Sequence, residues 1–325
     1  MKTVKPVRTL WNLLVRKSPI EAQVVITRRC NLSCGYCSEH DASSLPVGFT
    51  ELCTWIDALH RLHVAHITLL GGEPMLHPNL AELVAYGRRR STVSVTTNGF
   101  LVSDEIIDKL NAAKLNHMQV SIDAAAVDPT NYIQKTFKPL RPKLERLKKR
   151  ATFDVHIAAV LCQQSKDDVR LLLKEAGEMG IPISLSIVHD DKGQRMISGE
   201  PYVSLWRSYG NGINHFGFSM IDYEYTMKLL QGVQPGWKCR AGSRSLYVDE
   251  YGNVQYCSAQ RGRLNRPIAE YTRDDVRGES RMSKGCEEGC AIDCVFRVSQ
   301  IDNDIGLLLK TLLHGALTGS HQSAG

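Results

Sequence analysis

The first two thirds of the chain alternate between short β-rich runs and longer amphipathic stretches. From residue 21 to about 190, six runs rich in β-branched residues predict strands, and five stretches with helical spacing between them predict helices. The strands read as near-continuous apolar runs, which is typical of a parallel sheet buried on both faces. The predicted strands are Ala22–Thr27, Ile67–Leu70, Thr92–Thr97, Met118–Ile122, Asp154–Leu161 and Ile183–Val188, and the predicted helices are Phe49–Arg61, Leu80–Arg90, Ser103–Ala113, Leu140–Arg150 and Lys166–Met179.

Strands that alternate with helices at intervals of roughly 30 residues predict right-handed βαβ units and an α/β fold. In a curled parallel sheet the reacting groups gather at the carboxyl ends of the strands. Cys30 follows the first predicted strand, Gly71 to Pro74 the second, Thr97 to Gly99 the third and Asp123 the fourth. We therefore expect these residues to lie near one another.

The last third of the chain has a different pattern. Residues 191–236 are rich in Gly, Asp, Tyr and Asn, which predicts a connector with some local helix. Residues 237–297 carry half of the cysteines around a predicted hairpin, Leu246–Tyr256, turned at Tyr251–Asn253. Ile305–Leu317 has an amphipathic helical pattern. We predict five regions: an N-terminal extension (1–20), a core (21–190), the connector, a small cysteine-rich module (237–297) and a C-terminal helix and tail (298–325).

Composition narrows the class of protein. The 325 residues are 43% hydrophobic and 23% charged, as in an ordinary globular protein. No apolar run reaches the roughly 18 residues of a membrane helix, and the basic start has too short an apolar core for a secretory signal. We expect a cytoplasmic protein. The stretch Lys5–Lys17 would suit peripheral contact with a membrane, but an amphipathic helix packed on the sheet is the favoured interpretation.

The formal net charge of +6 comes from the segment Phe137–Arg150, and the rest of the chain is neutral. A solvated helix face is the favoured interpretation, and the alternative is a docking site for an acidic partner or nucleic acid. Only Phe137 interleaves the cations, so a stacking platform for nucleic acid is unsupported.

Ten cysteines in a cytosolic chain point to metal binding rather than to disulfides, because the cytosol keeps thiols reduced. Three of them, Cys30, Cys34 and Cys37, share one loop after the first predicted strand. Structural zinc and most iron–sulfur sites take four protein ligands, so this set is one short. Such a site either takes its fourth ligand from another part of the chain or keeps one metal position open. An open position is what a metal centre needs in order to react with a substrate.

The CxxxCxxC loop after a first strand, the aromatic Tyr36 before its last cysteine and the sequence Gly71-Gly72-Glu73-Pro74 together resemble the radical S-adenosylmethionine (SAM) superfamily. The resemblance covers about residues 21–190 and implies a partial (β/α)6 TIM-like barrel. It implies a 4Fe-4S cluster on Cys30, Cys34 and Cys37, with SAM completing the fourth iron. Reductive cleavage of SAM would release a 5′-deoxyadenosyl radical that abstracts a substrate hydrogen.

The same resemblance implies the residues that contact SAM. The backbone at Tyr36 would meet the adenine, and Gly71, Gly72, Glu73 and Pro74 would meet the ammonium. The methionine end and the ribose would be met by Thr97 with Asn98 and by Ser121 with Asp123. Taken singly, each of these residues is better explained by ordinary turn chemistry, but their joint occurrence at consecutive strand ends favours contact with SAM.

A second cysteine pattern lies in the module. Cys239, Gly252 and Cys257 are followed by Cys286, Cys290 and Cys294, and these last three are spaced four residues apart. This resembles the auxiliary-cluster region called SPASM, or its shorter twitch form. Five cysteines imply one auxiliary 4Fe-4S cluster on Cys239, Cys257 and two of the last three. The spacing of four predicts one helix face, weakened by Gly285 and Gly289, and a zinc site is the alternative.

These inferences predict a radical SAM enzyme whose reaction is a dehydrogenation, an epimerisation or a bond formation. The expected partners are a flavodoxin- or ferredoxin-type reductant and a small-molecule or peptide substrate. Two assigned domains leave no room for a peptide-leader domain of about 80 residues, which favours a small metabolite. The alternative is a non-catalytic iron–sulfur or zinc carrier or assembly protein on the same scaffold.

Overall fold

The computed structural model describes residues 11–12, 15–37, 39–126, 130, 132–210 and 218–302. Within them the strands form a single sheet in the order β6-β5-β4-β3-β2-β1-β7-β8-β9. Strands β1 to β7 run parallel, and β8 and β9 are antiparallel additions at one edge. The strands are β1 Glu21–Thr27, β2 His66–Gly71, β3 Thr92–Thr97, β4 His117–Ser121, β5 Asp154–Leu161, β6 Ile183–Ile187, β7 Ser245–Val248, β8 Asn253–Gln255 and β9 Arg266–Pro267.

One helix crosses between each pair of consecutive strands from β1 to β6, which confirms the predicted α/β fold. Ser103 caps the third of these helices by accepting a hydrogen bond from the amide of Ile106. The helices are α1 Phe49–Arg61, α2 Leu80–Gly87, α3 Asp104–Ala112, α4 Phe137–Arg150, α5 Val169–Met179, α6 Glu200–Gly210, α7 Phe218–Leu230, α8 Arg273–Arg281 and α9 Asp293–Gln300.

The strands differ from the sequence expectation in polarity. Alternate residues such as Val24, Leu69 and Val95 are buried in the main core, whereas their neighbours, such as Gln23 and Thr96, line internal cavities. The expectation of strands with two apolar faces is therefore wrong: one face is apolar and the other is largely polar. Side chains alternate across a strand, so this pattern was already present in the sequence.

The cysteine-rich module joins the core sheet. Strand β7 pairs in parallel with β1 over four positions, and the predicted hairpin is confirmed as β7 and β8. Its turn lies against α1, because a Cβ on Gly252 would come within 2.6 Å of the Trp55 ring. The module is therefore anchored to the core by both backbone pairing and side-chain packing.

One helical prediction fails in the last third of the chain, and one is met. The connector, predicted to contain some local helix, contains two helices, α6 and α7, held together by the stacked rings of Trp206 and Tyr223, 6.3 Å apart. Cys286, Cys290 and Cys294 do not share a helix, because Gly289 has φ +72° and α9 begins only at Asp293. The helical pattern at Ile305–Leu317 lies outside the described residues.

The basic segment in α4 is mostly engaged within the protein. Arg141 pairs with Glu175, Arg150 pairs with Asp108, and the Lys148 ammonium donates to the carbonyl of Met179. Five of its seven cations are nevertheless exposed, which supports the interpretation of a solvated helix face. Among the described residues, no helix combines the length and apolar character that a membrane crossing requires.

Candidate functional site

A cavity of about 250 Å³ opens at the carboxyl ends of the strands, and we call it the cysteine cavity. Three thiols, those of Cys30, Cys34 and Cys37, line it together. Five of the residues expected to contact SAM also line it, namely Gly71, Gly72, Thr97, Asn98 and Ser121. The other four expected residues, Tyr36, Glu73, Pro74 and Asp123, do not line it. The fold thus brings the separate sequence motifs to one place.

The loop that carries the three cysteines is fixed from several sides. The amide of Cys30 donates to the carbonyl of Asp41 (3.1 Å), and the Cys37 amide donates to the Cys34 carbonyl (3.0 Å). The Asn98 side-chain amide donates to Asn31 Oδ1 (2.8 Å) and lies 3.8 Å from Cys30 Sγ. Burial raises the pKa of Cys30 and of Cys37 above the usual value of a thiol.

Two glycines allow the end of β2 to pass against this loop. A Cβ on Gly71 would lie 2.1 Å from the carbonyl oxygen of Thr27, and one on Gly72 would lie 2.3 Å from that of Arg28. The amide of Gly72 donates to Thr27 and that of Glu73 to Arg29, at 2.8 and 2.9 Å. Glycine is required because the two backbones touch.

Glu73 is fully buried and does not reach the cavity. Its Oε1 accepts from the Met75 amide (2.9 Å) and the Thr97 hydroxyl (2.7 Å), and its Oε2 accepts from the Asn98 amide (2.7 Å). Burial raises the pKa of this carboxyl. The carboxylate therefore positions Thr97 and Asn98, which do line the cavity.

Asp123 is also engaged within the protein. It accepts hydrogen bonds from the hydroxyl of Tyr36 and the amide of Val160 (3.0 Å), and its Oδ2 lies 3.2 Å from Lys135 Nζ. Burial acts to lower the pKa of Lys135, but Asp123, Cys34 and Cys37 raise it above the usual value. Lys135 lines the cysteine cavity and was missed by the sequence analysis, because no motif marks it.

The second group of thiols assembles four of the five module cysteines. Cys239 and Cys290 are buried in one small apolar cluster, with Cys257 packed against it. Burial, together with the charges of Cys290, Cys286 and Cys257, raises the pKa of Cys239 to about 12, so these four thiols are electrostatic neighbours. Burial raises the pKa of Cys257 to about 11 and that of Cys290 to about 12. A positively charged metal centre suits four such thiols, because it stabilises their thiolates.

Cys294 packs against the same apolar cluster as Cys257 but faces a different space. Its thiol lines a cavity inside the sheet, and its electrostatic neighbours are Asp293 and Glu21 rather than the other cysteines. Cys162 is buried, and its sulfur lies 3.5 Å from the hydroxyl of Ser165.

In the described part of the chain, no three Cys, His, Asp or Glu side chains are arranged to hold one metal ion.

Comparison with known proteins identifies the family. Residues 24–190, just over half of the chain, match the family described as Radical SAM superfamily. The chain belongs to the radical SAM superfamily. The resemblance drawn from CxxxCxxC and Gly-Gly-Glu-Pro is thereby confirmed, and the cysteine-rich C-terminal region is consistent with a SPASM or twitch module.

Curated relatives match this radical SAM chain over part of their length. An AdoMet-dependent heme synthase of Methanosarcina barkeri is 30% identical over 164 residues, which are 48% of this chain and 46% of that protein. The mycofactocin maturase MftC of Mycolicibacterium smegmatis is 28% identical over 193 residues, 57% of this chain and 49% of that protein. The chain thus spans about half the length of the curated relatives it matches.

Solved structures support the fold over a longer range. Streptococcus suis SuiB bound to the precursor peptide SuiA has a TM-score of 0.61 at 15% identity, covering 89% of this chain and 74% of that chain. The structure of anSMEcpe with bound AdoMet and a Kp18Cys peptide has a TM-score of 0.59 at 16% identity, covering 85% and 84%. At this identity the similarity concerns the fold alone.

Proposed function

We propose that this radical SAM chain is an enzyme that holds a 4Fe-4S cluster on Cys30, Cys34 and Cys37 and binds SAM beside it. The observation that supports this most is that three thiols and the Gly71–Gly72 backbone line one cavity. Three thiols leave one iron without a protein ligand. The loaded site would supply reductive cleavage of SAM, and the 5′-deoxyadenosyl radical so formed would abstract a substrate hydrogen.

The chain's own groups would bind and orient SAM. Gly71 and Gly72 would present their backbone to its ammonium, since no side chain separates that backbone from the cavity. Asn98 and Thr97, held by Glu73, would contact the methionine end, and Ser121 the ribose. Tyr36 would meet the adenine through its backbone, with its hydroxyl fixed by Asp123.

The test is SAM cleavage by the reconstituted protein. Anaerobic reconstitution followed by dithionite and SAM should produce 5′-deoxyadenosine, measured by liquid chromatography. Replacing Cys30, Cys34 and Cys37 with Ala should abolish the product, whereas C162A, which removes a buried thiol outside the cavity, should leave it unchanged. A protein that binds iron but yields no 5′-deoxyadenosine would instead be a carrier or assembly protein.

We also propose that Cys239, Cys257, Cys286 and Cys290 hold the auxiliary 4Fe-4S cluster, within a module at about residues 237–297 that follows the core at 21–190. The electrostatic interactions among these four thiols support the set, whereas the Cys294 thiol interacts with Asp293 and Glu21 instead, which argues against its membership. Iron should be about 8 per chain, falling to about 4 in C239A/C257A and staying at about 8 in C294A. One zinc per chain with about 4 iron would favour the zinc alternative.

The substrate is a small metabolite or a peptide residue, and the electron donor is a flavodoxin- or ferredoxin-type protein. A peptide substrate is supported by relatives named PqqA peptide cyclase. One of them, from Gluconobacter oxydans, is 35% identical over 107 residues, which are 32% of this chain and 30% of that protein.

All ten cysteines are free, which fits the reducing cytoplasm.

A further inference from the structure

A second cavity, of about 410 Å³, lies inside the curl of the sheet, and we call it the lumen cavity. Each strand from β1 to β6 contributes to it, from Glu21 on β1 to Ser184 on β6. Six strands laid flat would separate β1 from β6 by about 24 Å, so the shared cavity shows that the sheet curls around it. Gln23, Leu70 and Thr96 line both this cavity and the cysteine cavity, which makes the two adjoining.

The wall of the lumen cavity is polar where a filled barrel would be packed with Val, Ile and Leu. Its hydroxyl and imidazole groups bond to one another: His66 Nε2 lies 2.9 Å from Ser94 Oγ, and the Thr68 hydroxyl donates to Glu21 Oε1 at 3.0 Å. His117 and His156 are stacked, with ring centroids 4.5 Å apart. Ligand cavities are usually lined by apolar side chains with a few placed polar groups, so an open cavity with a largely polar wall suits a polar ligand.

The charges facing this space are unbalanced. Arg297 lies between two carboxylates, donating to Asp222 Oδ2 (2.5 Å) and lying 3.7 Å from Asp293 Oδ2. Within the part of the chain that the structure describes, Asp222 Oδ1 is buried without a hydrogen-bond partner. Asp222 lines a smaller cavity of about 120 Å³ that shares Asp293 and Arg297 with the lumen cavity.

Glu21 adds a further negative charge. Among the described residues, no Lys, Arg or His nitrogen makes an ion pair with it; its carboxylate accepts a hydrogen bond from the Thr68 hydroxyl and interacts electrostatically with the buried His66 ring. The three histidines do not supply a compensating positive charge, because burial keeps them neutral at neutral pH. It lowers the pKa of His66, and it lowers the pKa of His117 to about 4 and the pKa of His156 to about 3.

Burial raises the pKa of Asp222 to about 7, so this carboxyl, which lies outside the lumen cavity, is only partly charged at neutral pH. The lining itself holds two carboxylates, Glu21 and Asp293, against one guanidinium, Arg297, which leaves it with excess negative charge.

We propose that the lumen cavity binds the substrate through a primary amine, whose ammonium pairs with Glu21 while the reacting C–H bond lies toward the cysteine cavity. This deepens the proposed function and rests on it. Glu21 is two residues before Gln23, so it lies about 7 Å along the strand from the level where the cavities adjoin. The amine is thus remote from the reacting bond. Both an elongated free amine and a lysine side chain of a peptide have this shape.

The experiment measures binding to the reconstituted full-length chain by anaerobic titration calorimetry. One series holds length constant and varies charge: 6-amino-1-hexanol, 1,6-hexanediol and 6-hydroxyhexanoate. A second series consists of N-acetylated tripeptide amides Gly-Lys-Gly, Gly-Gln-Gly and Gly-Glu-Gly. In at least one series the ammonium member should bind about tenfold more tightly than the other two, and the series that shows this identifies a free amine or a peptide as the source.

The variant E21Q should reduce that preference to within about threefold, because the amide keeps an acceptor for Thr68 but removes the charge. E105Q is the matched control, since Glu105 is exposed on α3 and pairs with Lys109; its preference should equal the wild type. No preference for the ammonium in either series, including no binding at all, overturns the proposal, as does an E21Q variant that keeps the preference.

Cleavage of SAM without substrate is measured on the same preparations. If 5′-deoxyadenosine forms but no ammonium preference exists, the lumen proposal fails and the proposed function stands. If the amines bind as expected but no 5′-deoxyadenosine forms, the proposed function fails, and the assignment of the bound amine as its substrate fails with it.

Discussion

At the scale of the residue, the Glu73 carboxylate ties the loop after β2 to the loop after β3. It accepts one hydrogen bond within its own loop, from Met75, and two from Thr97 and Asn98. A buried acceptor with three donors stabilises all of them, and removing it leaves buried donors unpaired. The residue that sequence motifs mark for ligand contact thus acts in this fold by positioning its neighbours.

We expect E73Q to lower the free energy of unfolding by about 1–3 kcal/mol, because the amide would turn a donor toward one of the three donors it now faces. Urea denaturation followed by circular dichroism measures the change, with E82Q on the exposed face of α2 as the control. Equal midpoints for E73Q and E82Q would show that the carboxylate does not hold these loops together.

The buried histidines make stability depend on pH. The folded pKa of His117 is about 4, lowered by burial, whereas an unfolded histidine titrates near 6.5. Between pH 6.5 and 4 the unfolded chain therefore binds a proton that the folded chain does not, so the free energy of unfolding falls as pH falls through this window.

We expect H117Q to lose less stability than the wild type between pH 6.5 and 4, by on the order of 2 kcal/mol. Urea midpoints of the two proteins at several pH values test this. Parallel curves for H117Q and the wild type would mean that His117 is not held neutral by its surroundings.

At the scale of the element, the contact between the end of β2 and the loop after β1 decides the shape of the cysteine cavity. A side chain at Gly72 would meet the backbone carbonyls of both Arg28 and Arg29, at 2.3 and 2.4 Å. Backbone cannot rotate aside as a flexible side chain can, so the two loops would have to separate. That separation would displace Cys30, which follows directly.

We therefore expect G72A to retain about 4 iron per chain instead of about 8 after reconstitution, because only the module cluster would assemble. The matched control is G177A in α5, where a Cβ meets no atom within 4 Å; it should keep all its iron and gain up to about 1 kcal/mol of stability. Full iron in G72A would show that the loops tolerate the added methyl group.

At the scale of the whole molecule, the cysteine-rich module completes the sheet. Strand β7 covers the edge of β1, whose residues Val24 and Ile26 belong to the main core. Tyr247 on β7 also donates to Glu39 Oε2 (2.7 Å), next to the cysteine loop. The module is therefore part of the structural support of the first site, in addition to carrying its own thiols.

We expect a chain ending at residue 236 to aggregate, because an uncovered β1 edge is free to pair with other chains. Light scattering during size-exclusion chromatography would detect this. The full-length variant C239S/C257S keeps β7 and should elute as the wild type does, which separates the loss of the strand from the loss of the second cluster. A truncated chain that stays dispersed would indicate that the core closes its own edge.

The sequence by itself determined the succession of the first six strands along the chain, the helices between them and the placement of three cysteines in the loop after β1. These features depend on short-range patterns of polarity and spacing. Only the tertiary structure decided what depends on distant residues meeting. Lys135 lines the cysteine cavity, Cys294 lines the lumen cavity, and Glu73 is fully buried. Each outcome follows from which strand ends lie side by side once the sheet curls, and no local pattern encodes that.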